Sequence, residues 1–368
     1  MQNSPSKIRV LTPQVEIQGN KYLSCLWMAV QKFAVEVDTF STDKDNKYDL
    51  TQVRAGRKIG NIIHIHWING FCNFKDYSGN IWISRVGTLF LSLKNLLALS
   101  LLKLKGYKIV WTIHNSISHG SKVMLRERLF RRGLSSLCSD ILVMSEYSRQ
   151  QFSQIYGRTH RVHIVPHGNY IGAYPNEISL ADARNKLDIP VDAKVFLHIG
   201  LIRGYKGIND LIDAFKQIDD NNCFLLIAGA CLDADLRQEI ELAAKNDDRV
   251  RLHLEFINDS EIQIYINACN WVVLPYKKIL NSGSALLALS FSRPVIVPQR
   301  GSLTELIIHG QQGFTYVSDD ELPQMLKLAL STPQNSWQQM CEQAYTLAKK
   351  FDWSDIGAQL YQIYQKSA

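Results

Sequence analysis

Little in this chain could hold it together other than packing. Its seven cysteines, at 25, 72, 138, 223, 231, 269 and 341, are odd in number and include no CxxC pair, so neither a disulfide framework nor a zinc cluster organises the fold. They are expected to be small core residues. Internal repeats and low-complexity tracts are absent. The opening MQNSPSKIRVLTP enters an apolar run without a signal-type segment, which predicts a cytoplasmic protein. Long uninterrupted apolar runs are also missing: residues 86–105 are broken by Lys94, Asn95 and Lys103, too often for a membrane span. Finally, the first half is short of acid. Residues 1–175 hold 23 Lys and Arg against 10 Asp and Glu, or +13; the remainder holds 18 against 24, or −6.

A basic half suggests nucleic acid, an anionic membrane surface or an acidic substrate as partner. The apolar run at 86–105, followed by RERLFRR at 126–132, reads either as a core helix with one wet edge or as a surface resting on a bilayer. The second reading would put the protein peripherally at the inner face of the plasma membrane.

What the chain does have is α/β grammar. At 368 residues, with 46% hydrophobic and 20% charged residues, it is long enough for two cores. Six short apolar runs begin at 8, 35, 62, 108, 141 and 162, and six more at 195, 223, 250, 271, 294 and 313, with helical or loop segments between them. Strands alternating with helices specify parallel sheets covered on both faces. The expectation is two tandem Rossmann-like doubly wound domains facing a cleft. Their predicted spans are 1–172 and 173–350, joined through the Pro-, Gly- and Asn-rich segment 166–177. A last helix within 351–368 is expected to cross back to the first domain. Ligands of such sheets collect at the carboxyl ends of strands.

Two such ends stand out. In HIGLIRGYKGINDLIDAF, residues 198–215, a buried strand ends in a glycine, then Arg203 and Lys206 precede an amphipathic helix. Cations in a glycine-bearing loop at a helix start suit a diphosphate. In the loop after WVVLP, the small residues Ser282, Gly283 and Ser284 open another helix after Asn281, leaving backbone N–H groups accessible to phosphate oxygens. In the first half, Gly19 and Asn20 precede a helix, and His66-Trp67 and His114-Asn115 end strands, with His119 nearby. His64 and His66 share a strand face but lack the further ligands of a closed metal site. Asp233-Ala234-Asp235 reads as a helix opening, where acids suit the first turn.

The pattern strand-G-x-x-R-x-x-KG-helix, followed by a PVI strand, GSLTELI at 301–307 and a final FDWSDI helix, resembles the GT-B glycosyltransferases, most closely family 4 (glycosyltransferase group 1) and its relatives. The resemblance implies transfer of a hexose from a nucleotide diphosphate sugar to a glycan or lipid-linked acceptor in polysaccharide or glycoconjugate synthesis. It implies no resident cofactor or metal and no nucleic-acid partner, with a UDP-sugar or GDP-mannose as donor. Arg203 and Lys206 would hold the diphosphate, the Ser282–Ser284 loop would complete the cradle, and base and ribose would lie near Gly229 and Ile257. Gly19 and Asn20 would face the donor phosphates. His114 would be catalytic, with His66, Trp67, Asn115 and His119 on the acceptor side. One departure is clear: the Glu-x7-Glu pair usual in family 4 falls on Ile279 and Leu287, so this is a diverged subgroup, with Glu305 a remaining polar partner. The alternatives are another GT-B enzyme, a phosphorylase or epimerase, or a non-catalytic binder of anionic lipid or nucleic acid through the basic half.

Overall fold

The structure is a computed structural model that describes residues 8–14, 16, 19–40, 50, 53, 62–68, 71, 81–115 and 123–367, the side chains of 81–89 and 123–126 excepted. The chain divides into two compact units. The first comprises residues 1–167 and 353–368, the second 168–352.

In unit 1, six parallel strands are described: β1 (Ile8–Thr12), β2 (Val35–Thr39), β3 (Ile62–Ile65), β4 (Lys108–Thr112), β5 (Asp140–Val143) and β6 (Val162–Ile164). They lie in the order β2-β1-β3-β4-β5-β6. Helices α1 (Tyr22–Gln31), α2 (Ile81–Leu104), α3 (Val123–Leu137) and α4 (Glu146–Tyr156) connect them. The last helix of the chain, designated αC (Trp353–Ser367), belongs to this unit and packs on α1. Its Ile356, Leu360, Ile363 and Tyr364 share one core with Leu23, Leu26, Trp27 and Val30. The two helices approach closely at Gly357, where an added Cβ would stand 2.8 Å from the Ala29 carbonyl.

Unit 2 holds β7 (Lys194–Ile199), β8 (Cys223–Ala228), β9 (Val250–His253), β10 (Trp271–Val273), β11 (Val295–Pro298) and β12 (Gly313–Tyr316), in the order β12-β11-β10-β7-β8-β9, all parallel. This is the Rossmann order. Side chains alternate between two cores: Val195, Leu197 and Ile199 of β7 join one, and Phe196 joins the other with Leu225 and Ile227 of β8. With both faces covered, β8, β10 and β11 read as continuous apolar runs.

The sheet order locates the ligand ends. In unit 2 the order reverses between β7 and β10, which pair directly, Trp271 against Phe196. In unit 1 it reverses between β1 and β3. Crevices at the carboxyl ends of such neighbouring strands are where open α/β sheets bind ligands.

Candidate active site

In unit 2, the loops that leave β7 and β10 meet. Chain leaves β7 through Gly200, whose φ of +127° is a conformation favoured by glycine, and whose missing Cβ would lie 3.0 Å from Ser284 Oγ. Arg203 then caps a short 3-10 turn, Gly204–Lys206, before α5 (Ile208–Phe215) begins. From the other side, Ser282 caps α6 (Gly283–Ser290): its Oγ accepts the Ala285 N–H at 3.1 Å. The same hydroxyl donates to Tyr276 Oη at 3.3 Å. The buried Tyr276 ring lies beneath the Lys206 ammonium, 4.1 Å from Nζ to centroid. Tyr276 thus ties the cation of one loop to the helix start of the other.

Charge pairing separates these cations from their neighbours. Lys277 pairs with Asp210 and Asp319, and Arg300 with Asp319 at 2.8 Å. Neither Arg203 nor Lys206 has a carboxylate partner among the described residues. Lys206, with Arg203 three positions before it in the same loop, therefore brings uncompensated charge toward a helix N-terminus, an arrangement complementary to a polyanion.

Behind them His198, on β7, is fully buried, with Nδ1 3.0 Å from the Val273 carbonyl. A carbonyl only accepts, so Nδ1 carries the proton and Nε2 is a bare acceptor, without a partner among the described residues. Burial, and then the Lys206 charge, push its pKa down to about 3, so the ring is neutral.

Other predicted donor residues are placed as follows. Gly229 follows β8 with φ +145°, packed so tightly that a Cβ would stand 2.1 Å from the Gly200 carbonyl oxygen. Ile257 is buried in the core, Asn281 is half-buried beside Ser282, and Glu305 is exposed in a short helical turn, Leu303–Leu306. Asp233 caps the helix Ala234–Ala244, accepting the Leu236 N–H at 3.2 Å, and Asp235 sits in its first turn.

In unit 1 a ring cluster gathers at the carboxyl ends of β3 and β4. His66 Nδ1 and His114 Nε2 share a hydrogen bond of 3.0 Å, and Trp67 stacks on His114 at 4.3 Å. Tyr22, at the start of α1, contacts His66, His114, His167 and Trp353, with centroids 4.7 to 5.8 Å away. Beneath them His64 bonds Tyr364 Oη at 2.6 Å and Thr112 Oγ1 at 2.8 Å, a buried support. Burial holds the His66 and His114 imidazoles well below their ordinary range, and neighbouring histidines add to the effect. Both are neutral at physiological pH, and the shared bond requires one to donate and the other to accept.

Gly19 is exposed at φ +71°, and Asn20 Oδ1 accepts the Tyr22 N–H at 2.9 Å just ahead of α1. Asn115 is exposed, its carbonyl 3.4 Å from Arg131 Nη1. His119 lies outside the described residues.

Sequence reasoning missed Tyr22, His198, Tyr276 and Trp353. Tyr276 and His198 had a readable signal, a polar or aromatic residue at the end of an otherwise apolar strand run. Tyr22 and Trp353 had none, because only the return of αC places a ring from residue 353 beside one from residue 22.

Two parallel α/β units in tandem, each with a switch point at the carboxyl ends of its strands, are the architecture of the GT-B fold. Residues 181–347 match the sequence model of the family described as "Glycosyl transferases group 1", and the chain is a glycosyltransferase. It is 27% identical over 310 residues to a GDP-mannose:glycolipid 4-beta-D-mannosyltransferase of Xanthomonas campestris pv. campestris, covering 82% of this chain and 79% of that one. It is 22% identical over 240 residues to a D-inositol 3-phosphate glycosyltransferase of Xylanimonas cellulosilytica, covering 62% and 57%. Among solved structures, Anabaena HepE in complex with UDP and glucose shares the fold with a TM-score of 0.75 at 16% identity, covering 98% of this chain and all of that one. Sucrose-phosphate synthase from Thermosynechococcus elongatus does so with a TM-score of 0.75 at 17% identity, covering 98% of each.

Proposed function

We propose that this chain transfers a mannosyl group from GDP-mannose to a hydroxyl of a lipid-linked glycan. The observation that carries the donor half is the uncompensated Arg203 and Lys206 pair beside the Ser282 helix start. Charge on the diphosphate grows as its bond to the sugar breaks, so preorganised cations and N–H groups stabilise the transition state more than the bound donor. They also supply the neutralisation for which other transferases use a divalent metal, so turnover persists in EDTA. The choice of GDP-mannose and of a glycolipid acceptor is supported by the name of the Xanthomonas relative.

A β-linked product formed from an α-linked donor means inversion at the anomeric carbon. The acceptor oxygen forms the new bond to that carbon as its bond to the diphosphate oxygen breaks, and the acceptor's proton needs a base. His114, held neutral, takes that proton, with His66 fixing its ring through the 3.0 Å bond.

The test is a thermal-shift panel of GDP, UDP, ADP and TDP, followed by GDP release on adding lipid-linked acceptor in the presence of EDTA. A shift with GDP and acceptor-dependent release are expected. Arg203→Ala combined with Lys206→Ala should lower kcat by roughly 100-fold or more, the scale of losing a donor to a developing oxyanion. Unimpaired turnover in that double variant, or a shift with none of the nucleotides, refutes the assignment.

A further inference from the structure

The outer face of α2 carries Phe90, Leu93, Leu97, Leu101 and Leu104, all exposed, Phe90 by 71% and Leu104 by 84%. Their spacings of three, four, four and three residues set them in one stripe along the helix. The opposite face is the one that packs: Ser92, Asn95, Leu99 and Leu102 are buried, and Asn95 Nδ2 donates to the Phe71 carbonyl at 2.6 Å. The stripe is therefore apolar surface in addition to a satisfied inner face, and α2 contains no acidic residue. Lys94 is exposed along its flank and Lys105 just past its end.

At the C-terminal end of α2 the surface opens into a basin of about 700 Å³, lined by Lys103, Lys108, Arg132, Arg158, Arg161 and Lys366 among others. It lies at the amino ends of β4, β5 and β6, the end of the sheet opposite to His66 and His114. Two of these cations serve the fold: Arg158 binds the carbonyls of Cys138 and Ser139, and Arg161 pairs with Asp140 at 2.6 Å. Lys108, Arg132 and Lys366 have no carboxylate partner among the described residues. Uncompensated cations around a concavity create a positive potential that attracts anions.

We propose that stripe and basin form a single surface that docks on an anionic membrane, with the α2 side chains at the acyl boundary and the basin cations on lipid phosphates. An apolar helix face bordered by lysines has the chemistry of an interfacial helix, and clustered cations add attraction to anionic headgroups. A second copy of the chain fits less well. A two-fold contact along α2 would set Lys94 and Lys105 of one copy near the same cations of the other, with no acid on the helix to offset them. The proposal goes beyond the transferase reading and is read out without turnover.

The experiment is co-sedimentation of the full chain with vesicles of phosphatidylcholine alone and of phosphatidylcholine mixed with phosphatidylglycerol. Binding to the mixed vesicles that weakens with salt is expected. Leu97→Glu with Leu101→Glu, and separately Lys108→Glu with Arg132→Glu, should each lower partitioning on the order of tenfold, with thermal melting unchanged. Equal binding to both vesicle types, no binding, or wild-type binding by both variants would overturn the proposal. So would self-association in sedimentation velocity that the leucine variant abolishes without any vesicle binding, which assigns the stripe to a second copy. Release from vesicles by inorganic phosphate, but not by chloride at matched ionic strength, would overturn it in favour of a free-phosphate site.

Discussion

A single ring sets where Lys206 can place its charge. Tyr276 offers its face to the ammonium at 4.1 Å and its hydroxyl to Ser282 at 3.3 Å, so one side chain serves both loops. The two contributions separate by substitution. Tyr276→Phe keeps the face and loses the hydroxyl contact, and its kcat/KM should stay within about threefold of wild type. Tyr276→Leu loses the face, worth roughly 0.5–2 kcal/mol, and should lower kcat/KM by about 2- to 30-fold. Steady-state kinetics on the two purified variants, compared at equal thermal stability, checks this; equal activity would leave the ring no positioning role. The residue scale also shows where sequence stops being informative. Arg203, Lys206, Ser282, His66 and His114 stand out because each lies at the carboxyl end of a readable strand. The bond between His66 and His114 spans 48 positions and is created by strand neighbours, so no local pattern announces it.

Elements were more legible than residues, for a physical reason. Every strand described in both units falls on one of the apolar runs marked in the sequence, since a parallel strand covered on both faces is mostly apolar and keeps a buried polar residue where that residue finds a partner, as His64 does. Strand order was not readable, because it depends on which right-handed crossover each connection takes. Nor was the close seat of αC on α1, where Gly357 leaves no room for a side chain above Ala29. Gly357→Val should force the helices apart and cost about 1–3 kcal/mol, the usual range for overpacking. Urea unfolding followed by Trp fluorescence measures it. A midpoint equal to wild type would mean that the seat is looser than the 2.8 Å approach implies.

Across the molecule, buried histidines make stability depend on pH in one direction. Burial lowers His64 and His198 to about 3 from an ordinary 6.5, and His66 and His114 shift the same way. Such groups bind protons only on unfolding, so their contribution is complete above pH 6.5 and is lost as pH falls toward 3. Asp140 adds to this lower down. Burial pushes its carboxyl up, but hydrogen bonds from His163, Arg161 and Ser367 outweigh that and hold it at about 2. Its contribution is therefore present above about pH 4 and lost as pH falls toward 2. The urea midpoint should fall steadily from pH 6.5 downward, and a midpoint flat to pH 4 would contradict the buried neutral rings. The return of αC to unit 1 has a consequence in time. The core of the first unit takes Ile356, Leu360 and Tyr364 from a stretch synthesised after the whole of the second unit, so the second unit can finish folding while the first still waits with α1 uncovered.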